Sequence, residues 1–223
     1  MGSVIGEILP LAVAVAASPV PIIAVILILF TPKARTNSVA FLFGWVLGLT
    51  VVGTIVLVAG DFASGDSGES DASGVVKLVL GFVFLLLAVR NWQSRPRAGE
   101  ERELPGWMAT IDDFGAAKSG GTAAFLSGIN PKNLALTVAA AATIAASGLT
   151  TAEQIGVFAV FVAIASATVA APVLVYLVMG DRVQDGLNTL KAWLIANNNT
   201  VMAVLFVVFG AKLLGDGISI LSG

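Results

Sequence analysis

Two residue types that carry much of protein chemistry are missing from this chain: its 223 residues include no cysteine and no histidine. Their absence excludes disulfides, thiol nucleophiles, imidazole acid–base catalysis and Cys/His zinc sites before any motif is read. Charge is scarce as well. Only 12% of the residues are charged, and 12 Lys and Arg against 14 Asp and Glu leave a net charge of -2. There is no basic footprint for nucleic acid and no acidic tail. The expectation is a protein without cofactor, metal or nucleic-acid partner, and not an enzyme.

What is present is apolar. Hydrophobic residues make up 57% of the chain and the mean hydropathy is +0.94, more than a soluble core of this length hides, so lipid is the expected solvent. A spanning helix needs about 20 apolar residues. Six stretches qualify, at 8–30, 39–60, 74–92, 121–146, 154–180 and 200–220. The third carries Lys77 and the sixth Lys212 with Asp216, where long side chains can snorkel towards headgroups. The segment Met1 to Glu7 has no basic n-region, and the following apolar run is too long for a signal sequence, so the first helix is expected to be retained.

The loops orient these helices. Lys33 and Arg35 follow the first stretch, Arg90, Arg95, Arg97, Arg102 and Lys118 accompany the third, and Arg182 and Lys191 follow the fifth. The remaining connections carry Asp61, Asp66, Glu69 and Asp71, or only Glu153. The positive-inside rule makes the first set cytoplasmic and puts both termini outside. In the long connection at 93–120, Trp107, Ile111 and Phe114 recur at helical spacing. They predict a short helix in the membrane interface, with a plain linker as the alternative.

The two halves of the chain correspond. L-V-A-G-D at 57–61 matches L-V-M-G-D at 177–181, F-L-L-L-A-V-R at 84–90 matches F-V-V-F-G-A-K at 206–212, and Ser18-Pro19 matches Asn130-Pro131. Three spans are an odd number, so the second copy enters the membrane from the opposite side. The fold expected is an all-α integral membrane protein with six transmembrane helices in two inverted three-helix repeats, N-out and C-out. It forms one transmembrane domain, with repeat 1 at 4–92, a loop at 93–120 and repeat 2 at 121–223.

The first helix of each repeat is broken by proline. Pro19 and Lys132 lie about 16 Å into their stretches at the usual helical rise, close to mid-membrane. Ser18 and Asn130 suit the N-cap, and a proline directly after each suits the first helical position. Two new helix starts would expose N–H groups and positive dipole ends towards one another, and Lys132 would add a full charge. The candidate substrate-binding residues are Ser18, Pro19, Pro21, Asn130, Pro131, Lys132 and Asn133, around an anion site. Lys132 would serve as a fixed charge or a proton carrier. The alternative is two kinks whose freed carbonyls Lys132 bonds. Gly44 and Gly48, with Ala163, Ala165, Ala167 and Ala170, would allow close helix approach within the monomer or, alternatively, in a homodimer. Pro172 is expected to kink its helix.

S-P-V-P-I-I-A-V at 18–25, F-G-W-V-L-G at 43–48, P-G-W-M at 105–108 and N-P-K-N at 130–133 resemble the glycolipid-addressing family, related to sulfolipid-addressing proteins, within the lysine-exporter superfamily. The resemblance covers nearly the whole chain, with N-P-K as its most specific element. It implies a multi-pass protein of the bacterial plasma membrane, linked to export of cell-envelope glycolipids or their precursors. Amino-acid exporters of the superfamily have glycine-proline where Ser18-Pro19 stands, and its thiol-disulfide conduits need a cysteine pair that is absent. The reading that follows is a secondary exporter or flippase for an anionic glycolipid or lipid-linked precursor, with membrane lipids around it. The alternatives are a non-transporting scaffold that partners envelope-lipid synthesis proteins, and an exporter of amino acids or small cations.

Overall fold

The computed structural model describes residues 1–63, 71–95 and 106–222, and these are helical almost throughout, without a strand among them. The helices are α1 (Gly2–Ala16), α2 (Pro19–Leu29), α3 (Ala34–Ala63), α4 (Asp71–Gln93), α5 (Ala116–Gly128), α6 (Pro131–Ala145), α7 (Thr151–Met179) and α8 (Gln184–Ser222), with 3-10 turns at Gly106–Asp113 and Gly180–Val183. Asp66, Glu69, Arg97, Arg102 and Pro105 lie outside the described residues, as do the side chains of Asp61, Asp71 and Lys77.

This is the build of a membrane protein. By length and composition, Ala34–Ala59 and the continuous stretch Thr151–Ser222 can cross a membrane, and Gly2–Ala16 with Pro19–Leu29, bent by 50°, makes a third if taken as one span. The other expected spans are helical but shorter or interrupted. The 121–146 stretch is cut at Ile129 and Asn130 into helices of 13 and 15 residues, each short of the about 20 a span requires. The 74–92 stretch lies within α4, whose apolar part is Leu78–Gln93.

The chain forms two compact units, and each draws on both halves of the sequence: Met1–Phe62 with Glu103–Ile195, and Ala63–Arg102 with Ala196–Gly223. At the centre of the first unit stands the broken pair α1–α2. Helix α1 packs against α6 and α7, burying Val4, Ile8, Leu11 and Val15 on one side. Helix α2 is buried almost all round, from Ile22 to Ile26 and again at Ile28 and Leu29, as a helix without a polar face must be. Helix α3 buries Phe41, Trp45 and Leu49 at four-residue spacing and turns Phe43, Leu47, Val51 and Ile55 outward. An outward row of that size suits lipid, since water would penalise it.

Gly44 and Gly48 serve packing inside this unit. A Cβ on Gly44 would stand 2.0 Å from the Gly120 carbonyl oxygen, and one on Gly48 would stand 2.1 Å from Ser127 Oγ. Their partner is α5 rather than the alanines of α7, of which Ala165 is buried but Ala163 and Ala167 are exposed. Helix α7 runs through Pro172 without interruption and ends at Gly180, whose φ of 60° only glycine adopts readily.

The helix expected in the membrane interface is a 3-10 turn with its apolar side turned to protein. Three residues per turn stack Met108, Ile111 and Phe114 in one row, and all three are buried. The turn packs on α2, and Asn37 Nδ2 donates to the Phe114 carbonyl at 2.7 Å. The sequence spacing had placed Trp107 in that row; the tighter helix puts Met108 there instead.

In the second unit α4 and the later part of α8 run antiparallel. A Cβ on Gly217 would meet the Gly74 carbonyl oxygen at 2.8 Å, and one on Gly81 the Gly210 carbonyl oxygen at 2.9 Å. The Phe84 and Phe206 rings lie 5.3 Å apart, and Asn199 Nδ2 donates to the Ser94 carbonyl. Lys212 and Asp216 pair at 2.6 Å.

Candidate functional site

Breaking a helix inside an apolar protein creates a hydrogen-bonding deficit, and the deficit at the α1–α2 break is specific. The last regular bond of α1 runs from the Ala17 N–H to the Val13 carbonyl at 2.8 Å. The next three carbonyls, of Ala14, Val15 and Ala16, lose their helical donors because the chain turns at Ala17 and Ser18 and Pro19 carries no N–H. Each would cost about 1–3 kcal/mol if left bare.

Three side chains supply what the backbone lacks. Lys132 Nζ donates to the Ala14 carbonyl at 2.8 Å, the Ser18 hydroxyl to Val15 at 2.7 Å, and Thr168 Oγ1 to Ala16 at 2.5 Å. They come from α6, the break itself and α7, so the C-terminus of α1 is tied to both neighbours. Its dipole carries partial negative charge there, which favours the ammonium.

The second break is joined to the first. Asn130 caps α6 by accepting from the Lys132 N–H at 3.1 Å, and Pro131 occupies the first helical position. The carbonyl of Leu126, in the last turn of α5, accepts from Asn133 Nδ2 at 2.9 Å. Asn133 Oδ1 in turn lies 3.1 Å from Ser18 Oγ, which accepts from Lys132 Nζ at 2.6 Å. Ser18 has one proton, so its bonds to Val15 and Asn133 alternate, with Val15 at the shorter distance. One turn further along the buried face of α6, the Thr137 hydroxyl has no partner.

Lys132 is 8% exposed. Among the described residues no carboxylate pairs with it, and its partners are one carbonyl and one hydroxyl. An ammonium has three donors, so one remains for a ligand. A buried cation balanced only by dipoles leaves a positive potential that an anion complements.

The structure therefore brings Ser18, Asn130, Lys132 and Asn133 into one network. Pro19 and Pro131 stand at helix starts, as expected, and Pro21 is buried within α2. The prolines have a second effect: neither Pro19 nor Pro21 has an N–H, so the first turn of α2 offers only Val20 and Ile22 as donors. The positive element of the site is thus the side chain of Lys132 more than the helix ends. Ala14, Ala16 and Thr168 were absent from the sequence-predicted set. Thr168 is signalled only by being, with Ser166, one of two hydroxyl residues in a small, apolar stretch of α7, and the alanines act through backbone oxygens that side-chain chemistry does not mark.

No curated protein and no solved structure matches the chain. The sequence model of a protein family does match it, described as Sap, sulfolipid-1-addressing protein, and the match runs over residues 8–219. With almost its entire length inside that match, the two proline-started helices and the N-P-K-N segment included, the chain belongs to the sulfolipid-1-addressing protein family.

Proposed function

We propose that this protein is a secondary exporter or flippase that moves an anionic glycolipid, or a lipid-linked envelope precursor, across the bacterial plasma membrane. The observation that carries the reading is Lys132: a buried lysine with no carboxylate beside it among the described residues, holding one donor free, in a family linked by its description to a sulfolipid. A sulfate or phosphate on the lipid supplies the missing negative charge, and the ammonium offsets the cost of bringing that charge into an apolar interior.

The reading includes six spans in two inverted repeats with both termini outside. Two features support it. Each expected repeat opens with a helix broken over two residues and restarted on proline, at Ala17-Ser18 and at Ile129-Asn130. Phe84 and Phe206, the first residues of the matched runs at 84–90 and 206–212, meet with their rings tilted by 57°, as equivalent residues meet near a two-fold axis. Opposed repeats around a central site suit alternating access.

The test is transport of a fluorescent sulfated glycolipid by purified protein in liposomes. Lys132→Gln is expected to abolish movement while the protein remains folded; undiminished movement would remove the role assigned to Lys132. The bond from Lys132 to the Ala14 carbonyl also favours a second reading, in which the lysine only ties α1 to α6 in a non-transporting scaffold. That reading requires a folded wild-type protein that moves no lipid and copurifies with an envelope-lipid synthase.

A further inference from the structure

Between α3 and α7 runs a groove of about 580 Å³, walled by apolar side chains such as Leu57, Ile155, Phe158 and Val162. Among the described residues no charged one lines it. Phe158 forms its floor by lying against Gly53, where a Cβ would stand 1.9 Å from the ring. At one end is Ser166, one of the lining residues and 6% exposed, whose buried hydroxyl has no hydrogen-bond partner. A serine on a helix usually bonds a carbonyl of its own preceding turn. An unpaired hydroxyl buried at the wall of an apolar groove needs only a rotation about its side-chain bond to meet an acceptor that arrives with a ligand.

Volume and depth identify that ligand. A methylene occupies roughly the 30 Å³ of a liquid water molecule, so 580 Å³ accommodates on the order of twenty, the size of one acyl chain. Ser166 stands at the middle of α7, about 22 Å from Thr151 and about 20 Å from Met179 at the helical rise, which puts it near mid-membrane for a helix that extends past both faces of a hydrocarbon layer of about 30 Å. A resting bilayer lipid keeps its ester carbonyls at the interface. A carbonyl at the depth of Ser166 belongs to a lipid part-way between leaflets.

We infer that the α3–α7 groove holds one acyl chain of the lipid in transit, with the Ser166 hydroxyl donating to the carbonyl oxygen at the head of that chain; this rests on the export reading above. The tail runs towards Leu57 and Ile155. Ser166 and Thr168 are two residues apart on α7 and so face different sides, which makes the groove distinct from the Lys132 network.

The experiment uses the full chain in phospholipid nanodiscs with a sulfated diacyl glucosyl glycerol bearing a diazirine at the end of one palmitoyl chain. Photolabel should concentrate on 46–58 and 155–163. Ala163→Trp, which fills the groove, should reduce labelling at least tenfold, and Ser166→Ala about fivefold, the worth of one uncharged hydrogen bond. Ala167→Trp, on an exposed position outside the groove, should leave it unchanged. Label spread evenly over outward residues such as Phe43 and Leu174, or insensitive to both groove variants, overturns the proposal. So does equal labelling by a phosphatidylcholine with the same diazirine chain, which identifies an ordinary bilayer lipid. Should Ala163→Trp not fold, Ser166→Ala, the removal of one oxygen, decides alone. Liposome transport separates the two readings: groove labelling that behaves as stated in a protein that moves no lipid keeps the groove and removes export, whereas normal transport by folded Ala163→Trp keeps export and removes the groove.

Discussion

Replacing Lys132 by methionine should cost this protein little stability, and less than replacing Ser18 by alanine. Methionine keeps most of the length of the lysine side chain and removes the charge. The Ala14 carbonyl then loses its side-chain donor, at about 1–3 kcal/mol. Against this, an effective penalty of several kcal/mol for burying the ammonium disappears. The two terms nearly offset, and the net change should stay within about 2 kcal/mol. Ser18→Ala does the reverse. It leaves the charge in place, removes one of its two acceptors and bares the Val15 carbonyl, a loss of about 3–5 kcal/mol because a buried charge is left short of partners. In the Lys132→Met background that stranded charge is gone, so Ser18→Ala should cost only the carbonyl, about 1–3 kcal/mol. Unfolding of the four proteins in mild detergent, followed by tryptophan fluorescence, closes the cycle. A Lys132→Met variant less stable than Ser18→Ala, or two losses that simply add, would refute the reasoning and make Lys132 a structural tie.

Three further outcomes test the architecture. Thr168→Val, nearly isosteric, bares the Ala16 carbonyl and should destabilise the protein by about 1–3 kcal/mol in the same unfolding assay. Gly44→Ala pushes a methyl against the Gly120 carbonyl and should lose about 1–3 kcal/mol to strain, whereas Gly6→Ala, whose methyl meets nothing beyond its own helix turn, should gain about 0.5–1 kcal/mol. Because the chain has no cysteine, single substitutions report topology without background: Ser3→Cys and Ser222→Cys should react with an impermeant maleimide on intact cells and Thr36→Cys should not, the opposite pattern reversing the orientation.

Much of the local structure was legible because the rules that set it are local. Pro19 and Pro131 restart helices because proline tolerates the first helical position and few others, and Asn130 caps because its side chain reaches the N–H two residues on. Glu153 likewise accepts from the Thr150 N–H and hydroxyl at the start of α7. The spacing predicts a short helix at Gly106–Asp113 and one is there, but its 3-10 form and its buried row were not legible, because the periods of 3.0 and 3.6 differ little over two turns and packing on α2 selects the former. Gly44 and Gly48 announced a close contact, but a small residue states that something approaches and not which helix it is.

The sequence by itself determined the solvent, the helical class and the two breaks, since composition and proline chemistry act wherever the chain lies. Lys132 was identifiable too, because a cation within a long apolar stretch is conspicuous in any fold. Its partners were a matter of tertiary structure. Whether its ammonium faced open space or the end of a neighbouring helix depended on the packing of α1 between α6 and α7, which juxtaposes carbonyls and side chains more than a hundred residues apart. Backbone oxygens have no letter in the sequence, and at this site they are half of the chemistry.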